Sequence, residues 1–298
     1  MILRTKRSVP RWLWMLLTAP SRPVLVFEAG EVPLDRGNKL RELVFLAETV
    51  LIRLKGGVVV RPPRGIRAAT VPALWLHACA ARLSQFALWR DATSAALANC
   101  GTVAPDIGFA ADASDESPRP LRDELIVSLR GARAMPGPAW IEAVRSTAAI
   151  EGLRIRTVVQ VREDESRARE VATALGGEFE PWGDTDSVVQ EARLRRSYKR
   201  ARLVVSDRMH VLILAALNGA VPAELVPRPT QKITVAFEVI GVRGISLDAE
   251  AADAAGMRDF LHAQLGRSAE IIERVEVARQ RLIEVESGIR DAIRKARA

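Results

Sequence analysis

At 298 residues the chain is long enough for two α/β domains, each with its own core, and an apolar share of 48% excludes a disordered polymer. The net charge of +8 is largely arginine spread along the chain, which suits anionic sugars, phosphates or a membrane face. With one tyrosine, no aromatic-studded basic strand and no zinc spacing, nucleic acid is the minor reading; Cys79 and Cys100 give neither a disulfide framework nor a metal spacing and fit a reducing cytoplasm.

The chain opens on a basic stretch, Leu3-Arg4-Thr5-Lys6-Arg7, followed by an apolar run over Trp12–Leu17 that Pro20 cuts short. The run lacks a small-residue cleavage site and falls well below the ~20 residues that span a bilayer. It reads either as a short helix packed on the first domain or as a membrane-surface anchor at the inner face of the membrane. Val24–Phe27 and Val58–Arg61 are β-branched strand patterns separated by a helix over Leu40–Leu54. A helix over Leu74–Leu88 follows, then a short strand and a helix over Asp91–Asn99. The polar, proline-bearing segment Ala111–Pro120 reads as a linker, which sets an N-terminal domain over residues 1–112 and a second over residues 121–245. The second alternates likewise: strands at Leu125–Leu129, Ile155–Val161, Phe179–Pro181 and Leu203–Ser206, helices at Trp140–Glu151, Ser166–Leu175 and Val188–Lys199. Such alternation predicts parallel sheets covered by helices.

Within that pattern, residues 201–222 stand out. Leu203, Val204 and Val205 form a strand that a parallel sheet buries on both faces, and Val211–Leu217 is an apolar helix ending at Asn218-Gly219 before Pro222. Asp207, Arg208 and His210 sit at the corner between them, at the carboxyl end of a strand, where open α/β sheets place ligands. The helix N-terminus favours an anion there, and Arg208 adds a fixed cation. Arg90 and Arg130 follow predicted strands and serve either the same ligand or the structure. Asp106 reads as a turn cap, His77 and His262 as structural, and the Gly56-Gly57 and Gly176-Gly177 pairs as turns. In residues 246–298, a C-terminal helical strap, Ile271, Val275, Ala278, Leu282, Val285, Ile289 and Ala292 recur at spacings of four and three. This seam packs on the protein's own body or drives homo-oligomerisation.

The order of these pieces resembles the polysaccharide pyruvyl transferase family over residues 22 to 245. The carriers are the Ser-x-Arg-x-His corner at Ser206, Arg208 and His210, the strand and glycine turn of Pro23–Gly30, Gly57–Arg67, the Arg90-Asp91-x-x-Ser94 element, Pro105-Asp106, and the strand Leu125–Arg130. The resemblance implies two Rossmann-like parallel-sheet domains, GT-B-like, the first of them shortened, with the active site between them. It implies transfer of the carboxyvinyl group of phosphoenolpyruvate to a hexose of a cell-surface polysaccharide, the acceptor being a saccharide or lipid-linked saccharide. Arg208, Arg90 or Arg130, Ser206 and Met209 would hold the donor, and His210 would move protons, with neither cofactor nor metal. Two other readings stay open: a GT-B-like glycosyltransferase using a nucleotide sugar, and a non-catalytic binding or assembly subunit.

Overall fold

The computed structural model describes residues 9–20, 22–111 and 121–297. The basic stretch at Leu3–Arg7 and nearly all of the expected linker lie outside the described residues. The chain divides into two compact units, one running to Ile107 and taking in Gln280 onward, the other spanning Gly108–Arg279. The break precedes the expected linker because Phe109 is fully buried and meets Phe237 edge-on at a ring separation of 5.6 Å, which ties it into the second unit.

The first unit comprises α1 (Val9–Thr18), β1 (Val24–Val26), β2 (Gly30–Pro33), α2 (Lys39–Leu54), β3 (Val58–Arg67), α3 (Val71–Leu83), β4 (Phe86–Trp89), α4 (Ala92–Ala98) and β5 (Thr102–Val103). Its sheet is parallel in the order β1-β3-β4-β5, with β2 also on β3. β1 pairs with Val58–Val60 and β2 with Arg64–Arg67, so Pro62 and Pro63 fall in the gap where no ladder N–H is required. Pro72, at the first turn of α3, starts that helix earlier than expected. The helix stops at Leu83 because Phe86–Trp89 is needed as a strand, whose Leu88 and Trp89 are buried.

The second unit comprises β6 (Glu124–Ser128), α5 (Pro138–Ile150), β7 (Arg154–Val158), α6 (Glu165–Leu175), β8 (Glu178–Glu180), α7 (Ser187–Arg200), β9 (Ala201–Ser206), α8 (Met209–Leu217), β10 (Val221–Val226), α9 (Gln231–Glu238), β11 (Ser246–Asp248) and α10 (Ala254–Leu265). All strands are parallel in the order β11-β10-β9-β6-β7-β8, a doubly wound sheet whose direction of winding reverses between β6 and β9. Every residue of β6 and β10 is buried, as for strands covered on both faces. α8 is apolar almost all round and buried almost all round, and Gly219 at φ +81° turns the chain out of it. The last helix, α11 (Ser268–Arg297), contributes to both units: Ile271, Val275 and Ala278 are buried in the second, Leu282 in the first. Both units are thus Rossmann-like α/β layers with a helical C-terminus.

Candidate functional site

The reversal between β6 and β9 places two strand ends side by side: Ser128 and Ser206 are register partners, and the Ser206 hydroxyl donates to the Ser128 carbonyl at 2.5 Å. The same hydroxyl accepts the Arg208 N–H at 3.0 Å, which fixes the turn from β9 into α8. Arg208 is the extended residue capping α8, so the helix points its N-terminus at this edge.

Asp207 is the buried hub. Its Oδ1 accepts the backbone N–H of Arg130 at 3.0 Å, and its Oδ2 lies 2.9 Å from Arg133 Nε and 3.9 Å from Arg130 Nε. Burial pushes its carboxyl up, and the Arg130 N–H with the charges of Arg130, Arg133 and Arg208 offsets this only in part. Asp164, also buried, accepts the Gly131 N–H at 2.9 Å and holds the Arg208 guanidinium through Nε and Nη2. Arg167 Nη2 donates to the Arg133 carbonyl at 2.8 Å, and Arg133 Nη1 to the Pro227 carbonyl at 2.7 Å. The loop after β6 is therefore held at Arg130, Gly131 and Arg133 by three different elements. At Gly131 a Cβ would stand 3.0 Å from the Glu163 carbonyl, so the close approach leaves little room for a side chain. Three arginines, Arg130, Arg133 and Arg208, thus meet two aspartates at the sheet edge, and the Arg130 side chain remains 36% exposed. The arrangement sets guanidinium groups and the α8 N-terminus at one edge of the sheet on a backbone fixed by its own hydrogen bonds.

The expected site residues divide accordingly. Arg208, Arg130 and Ser206 come together here, the last with its hydroxyl spent on backbone bonds. His210 lies exposed on the first turn of α8. Met209 is buried, so its side chain faces the core. Arg90 belongs to the first unit, where it is nearly buried against Gly65 and pairs with Glu31 and, at 3.7 Å, with Asp106. Sequence reasoning missed Asp164, Arg133 and Arg167, and it placed Asp207 at the corner without assigning it a role. The signal for Asp207 was a carboxylate two residues beyond the apolar run Leu203–Val205; nothing in the sequence linked Asp164 to it. Among the described residues no group of His, Cys, Asp and Glu could hold a metal ion.

The first unit carries a second polar cluster, inside its core. His77 Nδ1 and Glu42 Oε2 are 2.7 Å apart and both residues are fully buried. Burial pushes the His77 imidazole down, Glu42 opposing; Glu42 is held below the usual range by its bonds to His77 and Arg41, against its own burial. A neutral His77 donating from Nδ1 to an ionised Glu42 satisfies both, and leaves Nε2 without a hydrogen-bond partner. Arg61 stacks over Phe27 at 3.9 Å, and burial lowers Arg61 and Arg64 to about 10.

No protein-family model matches the chain, and no curated protein matches it. Among solved structures it is similar to the UDP-GlcNAc 2-epimerase from Neisseria meningitidis bound to UDP-GlcNAc, at 10% identity, TM-score 0.53, covering 97% of this chain and 84% of that one. A second UDP-N-acetylglucosamine 2-epimerase gives 13% identity and TM-score 0.50 over 92% and 73%. The Glycosylation Associate Protein (Gap123) complex from Streptococcus agalactiae gives 12% identity and TM-score 0.56 over 97% and 57%. At these identities the likeness shows the fold: two Rossmann-like parallel-sheet units of the kind GT-B proteins carry. It also corrects the resemblance to the polysaccharide pyruvyl transferases, which finds no family model and no place among these structures. Phosphoenolpyruvate as donor falls with it. The physical reason is that a strand, a polar corner and an apolar helix recur at the winding reversal of doubly wound sheets, whatever ligand is bound there.

Proposed function

We propose that the protein binds a nucleoside diphosphate sugar, with the diphosphate at the carboxyl edge of the second unit's sheet, and acts on the sugar as a GT-B-like enzyme, a saccharide being the acceptor in a transfer reaction. One observation carries the reading: the fixed loop after β6 and the N-terminus of α8 converge, with Arg130, Arg133 and Arg208, on the point where the sheet's winding reverses. A diphosphate has the charge and the acceptor oxygens for such a set, and planar guanidinium groups meet phosphate oxygens two at a time. The similar epimerase structures, one of them bound to UDP-GlcNAc, supply the ligand class to try first. His210, on the first turn of α8, is positioned to move a proton at the leaving phosphate or the sugar.

The test is calorimetry and thermal shift on the whole chain with UDP, UDP-GlcNAc and inorganic phosphate. A ligand at a hundredfold its Kd raises stability by about 2.7 kcal/mol. Arg208→Ala is expected to weaken UDP-sugar binding about ten- to a hundredfold, the loss of one charge-assisted contact. His210→Gln is expected to keep binding within a few-fold and to slow turnover about 10²- to 10⁴-fold. Absence of any shift with nucleoside diphosphates and their sugars would overturn the proposal.

A further inference from the structure

α2 is apolar on both faces. Its buried face carries Ile52, with Phe45 packed beside it, along with Glu42, Glu48 and Thr49, while its outer face presents Leu40, Leu43, Val50 and Leu54 at helical spacing, Leu54 being 80% exposed. A surface helix ordinarily turns its outer face polar, because apolar area gains by leaving water. The inner polar groups are satisfied: Glu42 by His77 and Arg41, Glu48 by Trp12 Nε1 at 2.8 Å, and Thr49 by the Phe45 carbonyl at 2.8 Å. The outer stripe stays exposed among the described residues.

Neighbouring helices extend this surface. α2 packs against both α1 and α3. Lys55 fixes the end of α1 by donating to the carbonyls of Leu16, Leu17 and Ala19 at 2.9, 2.7 and 2.6 Å. With Leu16 buried in the core, Trp14 and Leu17 face outward, 63% and 60% exposed, and Trp75 does so on α3.

The exposed charges on these helices are of one sign. Their two carboxylates, Glu42 and Glu48, are both buried, whereas Arg11, Lys39, Arg53 and Arg82 are exposed. Outward leucine and tryptophan on helices whose exposed charges are cations match a surface that is apolar beneath and anionic at its rim. A second copy of the chain would bring like charges together across a two-fold axis, and is disfavoured for that reason.

From this we infer that the outer faces of α1, α2 and α3 form a docking surface for an anionic membrane. The helices lie in the interface without crossing it, and no helix among the described residues is long and apolar enough to span a bilayer. The inference is independent of the ligand at the second unit.

The experiment is sedimentation of the full chain with vesicles of phosphatidylcholine alone or of equimolar phosphatidylglycerol and phosphatidylcholine, at low and high salt. Binding is expected to the anionic vesicles only, and to weaken with salt. Leu43→Ser/Leu54→Ser and, separately, Arg11→Glu/Arg53→Glu are each expected to lower partitioning about tenfold or more, since interfacial binding combines buried apolar area with attraction to anionic lipid. All four positions are exposed, and unchanged melting of each variant shows that the fold survives. Equal binding by wild type and both variants, or no vesicle binding at all, would overturn the inference. So would a wild-type dimer in light scattering that Leu43→Ser/Leu54→Ser dissolves, because the face would then be covered by a second copy.

Discussion

Replacing Glu42 by leucine probes the buried polar cluster between α2 and α3. Glu42 is fully buried and accepts from Arg41 at 2.9 Å and from His77 at 2.7 Å. Arg41 is 35% exposed and can turn to water, but His77 is fully buried and its Nε2 already lacks a partner. Glu42→Leu leaves that imidazole with neither nitrogen bonded and removes a negative charge facing Arg61, so the expected cost is about 3 kcal/mol. Glu42→Gln retains an acceptor for the His77 N–H and is expected to cost about 1 kcal/mol. The double change Glu42→Leu/His77→Leu removes both members of the pair and is expected to recover at least about 1 kcal/mol relative to the sum of the single changes. Urea titration of the four proteins measures this directly. Equal costs for Glu42→Leu and Glu42→Gln, or additivity in the double variant, would refute the assignment of the bond. The pH dependence follows with a definite sign. The folded His77 takes a proton less readily than the unfolded one, so its contribution is present above about pH 6.5 and is lost as pH falls through that value. The lowered Glu42 adds a second loss at more acid pH, below the ordinary carboxyl range. His77→Leu is expected to flatten the first of these two losses.

Two further outcomes follow from the second unit's hub and the C-terminal helix. Because burial holds the Asp207 carboxyl above its ordinary range, its ionisation costs folded-state stability as pH rises; Asp207→Asn, which keeps an acceptor for the Arg130 N–H, is therefore expected to change stability at pH 7 by under about 1 kcal/mol, whereas Asp207→Ala orphans that N–H and costs about 2 kcal/mol or more, read by thermal melting; equal effects of the two would refute the role of Oδ1. Leu282 is 6% exposed, so Leu282→Asp is expected to cost about 2 kcal/mol or more, and a melting temperature equal to that of the wild type would show that the seam contributes nothing to the chain's own packing.

The chain's local pattern determined the elements that a hydrophobic period can announce. The apolar runs Leu125–Val127 and Leu203–Val205 could satisfy themselves only as strands buried on both faces, and the Ala/Leu/Ile run of α8 only as a buried helix. The alternation of such runs was enough for two Rossmann-like parallel sheets. β10 escaped notice because Pro222 and Glu224 interrupt its apolar run, and Glu224 is tolerated in the interior only because Ser246 and Thr230 bond it. The polar partnerships depended on tertiary structure. Arg208 finds Asp164, 44 residues away, and Asp207 finds the Arg130 N–H, 77 residues away, because the sheet order sets β6 between β7 and β9. A hydrophobic period records whether a residue is buried but carries no information about which buried strand becomes its neighbour. The same gap separates α2 as a helix, legible from its period, from α2 as a helix that buries Glu42 and Glu48 beside Ile52: the period does not show that a histidine of α3 and the arginines of β3 lie ready to receive those carboxylates.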